Sequence, residues 1–196
     1  MNTDVKTQLL PATLRAQLPE FWQKVETFAE VIGLKLNSLV ADHVAIRINE
    51  QSVAEHTHQA WLAEGTQISD AMINGRPIIV IELDKAFEVS NQQIKLLELP
   101  YPSVKTYRNQ GWEHVEFVVN SQAQTAEDFL ADVKKAFPEI EARWDCLEYM
   151  GVKVKLSSPK GEGERLANPT VAFKSESGVC IKLHPHTLKD VILSEL

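Results

Sequence analysis

The sequence is poor in cysteine and contains no long apolar run, and each shortage excludes a class of protein. Cys146 and Cys180 are the two cysteines in a chain of 196 residues, too few for a disulfide framework, so we expect buried thiols in a reducing compartment. No stretch approaches the roughly 18 consecutive apolar residues that a membrane span needs. The N-terminus also lacks the basic-then-apolar order of a signal peptide. These features predict a cytoplasmic protein with no membrane partner.

Basic residues are fewer than acidic ones, which argues against a polyanionic partner. Lys and Arg number 20 against 27 Asp and Glu, a formal net charge of −7, whereas nucleic-acid-binding proteins usually present a basic face. Hydrophobic residues make up 44% of the chain, enough to bury a sizeable core. We therefore expect one folded domain over residues 1–196, a monomer or homodimer that binds a small molecule and no nucleic acid.

Hydrophobic periodicity predicts a mixed order of helices and strands. Apolar residues recur at three- and four-residue steps over residues 12–36, which is typical of one amphipathic helix, with Gly33 as its cap. Segments with a period of two then alternate with further helical segments. The order strand, helix and three strands fits residues 41–100, and the same order fits residues 111–185. The sequence therefore predicts two βαβββ modules after an N-terminal helix.

A short internal repeat relates the two modules. Asp42-His43-Val44 opens the first strand of one module and Glu113-His114-Val115 opens that of the other, with the two histidines 71 residues apart. This spacing indicates a duplicated supersecondary unit, because solenoid repeats run about 20–50 residues. One module alone would leave a face of its sheet uncovered. The predicted fold class is α+β, with pseudo-two-fold-related modules that form a curved mixed sheet around a cleft.

The repeated histidines are candidate metal ligands. Pseudo-two-fold symmetry would bring His43 and His114 to one inner face, and the period of two ends an otherwise apolar strand face at Glu98. A buried carboxylate is costly unless it is paired or bound to a metal. Imidazole and carboxylate ligands suit zinc, nickel, iron or manganese. Each residue alone is more simply a hydrogen-bonded or solvated strand residue, but the duplicated register favours a metal site.

Three other histidines receive different predictions. His56 and His58 fall on the polar side of the second helix, where solvated surface residues are the expected outcome. His184 ends the last strand, on the same face as Cys180 and Lys182. It is either a fourth ligand or substrate contact, or a strand-end residue that caps the sheet.

Six segments resemble landmarks of the bacterial YecM family, in that family's order. They are ADHVAIR, MINGRPI, ELPYP, GWEHVEFVV, SSPKGE-x-ER-x-x-NPT and IKLHP, and they span nearly the whole chain. The family's fold is similar to the vicinal-oxygen-chelate superfamily, in which each half contributes one metal ligand from its first strand and one from its last. The resemblance implies ligands at His43, Glu98 and His114. The fourth place holds Lys182, so His184 is the residue that could replace the missing carboxylate.

The resemblance implies a metal-dependent isomerase, lyase or oxidoreductase that acts on a small oxygen-rich molecule. A zinc, nickel, iron or manganese ion would serve as a Lewis acid on two neighbouring oxygens of that molecule. Glu116 is then a candidate general base and Arg47 a candidate clamp for a substrate carboxylate, unless the two pair with each other. The alternative is a non-catalytic binding protein similar to bleomycin-resistance proteins, with Trp112, Tyr101 and Tyr107 against a flat ligand.

Overall fold

A computed structural model describes residues 7–158 and 166–194 of the chain. These residues form an α+β protein with mixed parallel and antiparallel strands, so the predicted fold class is confirmed. The chain divides into two compact units, the first made of residues 1–22 and 43–113 and the second of residues 23–42 and 114–196. Residues 159–165, which carry part of the SSPKGE landmark, lie outside the described ranges.

The βαβββ order predicted from the sequence occurs twice, with an additional two-residue strand, Met72–Ile73, in the first repeat. An N-terminal helix, α1 (Pro11–Ile32), comes first. The first repeat then contains β1 (Ala41–Arg47), α2 (Gln51–Leu62), β2 (Gly65–Ser69), β3 (Met72–Ile73), β4 (Arg76–Val89) and β5 (Gln92–Pro100). The second contains β6 (Gly111–Val118), α3 (Ala126–Ala136), α4 (Pro138–Arg143), β7 (Val152–Ser157), β8 (Thr170–Ser175), β9 (Cys180–His184) and α5 (Leu188–Leu193). The helices α4 and α5 were not predicted, because six residues are too few to show a helical period.

The buried stripe of α1 follows the helical period. Leu14, Leu18 and Ile32 are each at most 2% exposed. Packing such a stripe stabilises a helix more than its intrinsic propensity does, since each large apolar side chain contributes about 1.5–3 kcal/mol when buried. Gly33 ends α1 with a φ of 81°, and the N–H of the following residue bonds back to the carbonyl of Ala29 at 2.8 Å. The predicted cap is confirmed, and α1 ends four residues before the predicted bound at residue 36.

In the first unit the strands lie in the order β2, β4, β5, β1, with β3 on β4. Neighbouring strands are antiparallel except β5 and β1, which are parallel. The register places His43 opposite Leu96 and Ala45 opposite Glu98. β4 continues to Val89, because a bulge after Glu82 lets its pairing with β5 resume at Phe87.

In the second unit the strands lie in the order β6, β9, β8, β7. β6 and β9 are parallel, and the other pairs are antiparallel. Here the register places His114 opposite Cys180 and Glu116 opposite Lys182. The helix on this unit begins where the Thr125 side chain accepts a hydrogen bond from the N–H of Asp128, an N-cap that satisfies an otherwise unbonded donor.

The structure bears on two predictions, one about membrane-spanning helices and one about the two cysteines. Within residues 7–158 and 166–194, none of the helices has the length and apolar content needed to cross a membrane. Cys180 is buried on β9, as expected, but Cys146 is exposed. The prediction of a buried thiol was wrong for Cys146, which lies in a short 3-10 turn (Trp144–Cys146).

Candidate metal centre

The first unit brings a predicted histidine and the predicted carboxylate together. His43 lies on β1 and Glu98 lies on the neighbouring β5, one pleat further along in the parallel register. The imidazole Nε2 and the carboxylate Oε2 are 3.5 Å apart, with side-chain exposures of 3% and 16%. Metal–ligand bonds of about 2.0–2.2 Å place neighbouring ligand atoms roughly 3.0–3.6 Å apart. The separation of these two atoms therefore fits two ligands of one ion.

The second unit pairs the other predicted histidine with a glutamate from the same strand. His114 and Glu116 are two residues apart on β6, so both side chains lie on one face of the sheet. His114 Nε2 is 3.1 Å from Glu116 Oε1, and both side chains are less than 10% exposed. The sequence predicted Glu116 as a general base, but its carboxylate lies at ligand spacing from His114. The His-x-Glu spacing on an alternating strand was the signal that could have identified it as a ligand.

A lysine contacts the same two atoms. Lys182 Nζ lies 2.6 Å from Glu116 Oε1 and 3.0 Å from His114 Nε2. An ammonium group has three donors and no acceptor, so in this contact His114 Nε2 accepts through its lone pair. The side chain of Lys182 is 26% exposed, whereas that of Glu116 is 8% exposed. A positive charge is therefore bound where two potential metal ligands face each other.

His184, the predicted fourth ligand, lies near two carboxylates. Its Nδ1 donates to the carbonyl of His186, and its Nε2 lies 3.7 Å from Glu116 Oε2 and 3.8 Å from Asp42 Oδ2. Asp42 Oδ2 also accepts a hydrogen bond from the N–H of Leu188 at 2.9 Å, at the start of α5. The hydrogen bond at Nδ1 orients the imidazole and directs Nε2 toward the acids.

The described residues include buried histidines and glutamates that could hold a metal ion. In the first unit they are His43 and Glu98, and in the second they are His114 and Glu116. Asp42 and His184 of the second unit are two further candidates. All four predicted ligands are thus among the candidates, and Glu116 is a further one that the sequence pattern had indicated only as a general base.

Arg47, the predicted substrate clamp, has partners within the first unit. Its guanidinium forms an ion pair with Glu113 and lies over the ring of Tyr107, 3.4 Å from the ring centroid. Burial raises the pKa of Tyr107, but a hydrogen bond from Arg47 and the nearby cationic side chains outweigh it and hold the pKa below its ordinary value of 10.0. Arg47 therefore stabilises the loop after β5 and the phenolate form of Tyr107.

The other two aromatic residues proposed to hold a flat ligand also have protein partners. Trp112 donates its indole N–H to the carbonyl of Leu14 at 2.9 Å and stacks on Phe21. Tyr101 has its hydroxyl 3.1 Å from Nδ1 of His58, and burial raises the pKa of this phenol. These contacts assign both rings to packing within the first unit.

One histidine prediction was wrong. His58 is 9% exposed, and its Nε2 lies 2.9 Å from Gln67 Oε1 on β2. The helical period alone places this residue near the edge of the polar face of α2, where the packing of strands that come later in the chain decides its burial. His56 is exposed, as predicted.

Comparison with known proteins identifies the family. A family profile described as YecM protein matches residues 11–195. Protein YecM of Escherichia coli (strain K12) is 34% identical over 186 residues, which cover 93% of this chain and 92% of that protein. The chain belongs to the YecM family. The family predicted from the six sequence landmarks is thus confirmed.

Solved structures also match this chain. A structural genomics structure, Protein EC4020, has a TM-score of 0.77 and 30% sequence identity, and the match covers 96% of each chain. A more distant match is methylmalonyl-CoA epimerase from Mycobacterium tuberculosis, with a TM-score of 0.36 and 16% identity over 74% of this chain and 86% of that one.

Proposed function

We propose that this YecM-family protein binds one divalent transition metal through His43, Glu98, His114 and Glu116. The observation that carries the proposal is the occurrence, once in each unit, of a buried histidine with a glutamate oxygen at ligand spacing, 3.5 Å in the first unit and 3.1 Å in the second. The two histidines are equivalent in the duplicated βαβββ order. A buried histidine at equivalent places, with a glutamate beside it in each unit, is simpler to explain by a metal than by two unrelated ion pairs.

The chemistry of the donor atoms fits such an ion. Two imidazoles and two carboxylates are the ligands that zinc, nickel, iron and manganese accept, and two carboxylates balance the charge of a divalent cation. Glu116 is assigned the fourth place instead of His184, because its Oε1 is 3.1 Å from the Nε2 of His114. His184 lies 3.7 Å from the other oxygen of Glu116, and we assign it to orienting that carboxylate.

The proposed reaction is of the vicinal-oxygen-chelate type, an isomerase, lyase or oxidoreductase step on a small oxygen-rich molecule. A bound metal would supply Lewis acidity toward oxygens of that molecule. The protein's own part is to hold the two histidines as lone-pair donors and to keep the site largely shielded from water. Arg47 is engaged by Glu113 and by the Tyr107 ring, so we assign it to positioning Tyr107 and not to a substrate carboxylate.

One observation favours a second candidate, a metal-free binding protein. The ammonium of Lys182 already contacts His114 and Glu116, and it could provide the positive charge for an anionic ligand without any metal. Cytoplasmic location, a small-molecule ligand, the absence of nucleic-acid binding and a monomeric or homodimeric state stay predictions from the sequence.

Metal content separates the two candidates. The protein is purified without an affinity tag that binds metals, and its zinc, nickel, iron and manganese are measured by plasma mass spectrometry together with its concentration. About one equivalent of one of these metals supports the metal-dependent function. Absence of metal, together with no uptake after incubation with micromolar concentrations of each ion and removal of excess, would reject it in favour of the binding protein.

A further inference from the structure

The two units differ at one equivalent position. In the first unit Glu98 on β5 pairs in register with Ala45 on β1, and in the second Lys182 on β9 pairs in register with Glu116 on β6. Relative to the two equivalent histidines, Lys182 therefore occupies the place of Glu98. The second unit has its carboxylate on the first strand of the repeat and a cation on the last strand.

The contacts of this lysine are those that a metal ion would make. Its Nζ is within 3.0 Å of both His114 Nε2 and Glu116 Oε1, two acceptor atoms that are themselves only 3.1 Å apart. Two acceptors do not attract each other, so a shared cation is what stabilises their close approach. Lys182 provides that cation within the second unit.

We propose that Lys182 is an internal cation that competes with a divalent metal for His114 and Glu116, so that its ammonium must leave the pair when the metal binds. This inference rests on the proposed metal-binding function. One acceptor pair cannot bind both cations at full strength, because two positive charges a few ångströms apart repel each other. The side chain of Lys182 is 26% exposed and can move its charge into water, whereas the two ligand side chains are at least nine-tenths buried. Lys182 thus sets the metal affinity of the site while keeping the metal-free protein stable.

The proposal predicts opposite changes in two measurements. Lys182→Met removes the competitor, so the affinity for Zn²⁺ and Ni²⁺ should rise by roughly tenfold or more. The same change leaves Glu116 without its ammonium, so the melting temperature in excess EDTA should fall. Lys182→Glu should show both effects more strongly, since it adds a carboxylate at the place equivalent to Glu98. A merely structural lysine would lower the melting temperature and leave the affinity unchanged or reduced.

One control variant keeps a positive charge at position 182, and another removes a lysine at a different position. Lys182→Arg retains a cation and should bind metal no more than a few-fold differently from the parent. Lys174→Met removes an exposed lysine from the neighbouring strand β8 and should change neither measurement. Lys182→Gln is a second neutral variant with a polar side chain, for use if the methionine variant does not fold.

Isothermal titration calorimetry on the metal-stripped full chain, with Zn²⁺ and Ni²⁺ as probes, distinguishes the outcomes. Tighter binding by the neutral variants than by the parent and Lys182→Arg supports the inference. If the parent binds no metal but the neutral variants do, the inference stands and the proposed native metal function fails. If the parent binds and the neutral variants bind no more tightly, the inference is overturned and the metal function stands. If neither the parent nor any variant binds metal, both the inference and the proposed metal function are overturned.

Discussion

Replacement of Trp112 tests whether this aromatic residue is a structural anchor or part of a ligand platform. Its indole N–H donates to the carbonyl of Leu14 in α1, its ring stacks on Phe21 at 5.9 Å, and it meets Phe87 edge-on at 5.3 Å. Pro19 lies inside α1 and has no N–H to donate to the carbonyl of Arg15, the residue after Leu14. Trp112 therefore bonds to α1 next to the turn where the helix loses one of its own hydrogen bonds.

The size of the effect follows from the contacts that each variant removes. Trp112→Phe keeps most of the ring packing and loses the hydrogen bond, which costs about 0.5–1.5 kcal/mol in the free energy of unfolding. Trp112→Ala also loses the contacts with both phenylalanines. Truncation of a core aromatic costs about 3–5 kcal/mol, and we expect the lower end of this range because Trp112 is partly buried. In a chain of this size, each kcal/mol lowers the melting temperature by about 2–4 °C. The alanine variant should therefore melt at least about 6 °C below the parent.

Urea unfolding followed by far-UV circular dichroism measures both losses without relying on tryptophan emission. Trp144→Phe is the matched control, because Trp144 is partly buried like Trp112 but its ring contact is with the side chain of Lys134. It should change stability by no more than about 0.5 kcal/mol. A loss below about 1 kcal/mol for Trp112→Ala would refute the anchoring role and return Trp112 to the candidates for ligand contact.

Two further predictions concern a phenol and a turn. In an ultraviolet titration Tyr107 should ionise below pH 10 and before Tyr101, and Arg47→Gln should move the Tyr107 transition to higher pH because the guanidinium stabilises the phenolate. A Tyr107 transition unchanged by Arg47→Gln contradicts the assignment. Gly33→Ala should cost clearly more stability in chemical denaturation than Gly178→Ala, because both have a positive φ but an added Cβ at Gly33 would lie 2.8 Å from the backbone of Glu139. Equal losses would show that the close approach does not matter.

Much of the site could be predicted because it depends on local pattern. The repeat of an acid, a histidine and a valine identified His43 and His114 as equivalent, and strand periodicity placed Glu98 on an inward face. Both rest on the alternation of side chains along a strand, which holds whatever the strand pairs with.

The rest depends on pairing between strands that are distant in sequence. The contact of Lys182 with Glu116 follows from the parallel register of β6 and β9, and a shift of one residue in that register would turn every side chain to the other face. No local pattern specifies this register. The burial of His58 likewise depends on Gln67 of β2.

The most direct test of the proposed metal centre is calorimetric titration of Zn²⁺, Ni²⁺ and Mn²⁺ into the metal-stripped protein and its single variants. The parent should bind one equivalent of at least one ion at micromolar concentrations. His43→Ala and His114→Ala should each abolish most of that binding, and Glu98→Gln should weaken it strongly, because each removes one of the donors. The exposed His56 provides the matched control, and His56→Ala should bind like the parent. A parent that binds none of these ions, or that binds equally well without His114, would contradict the proposed metal centre.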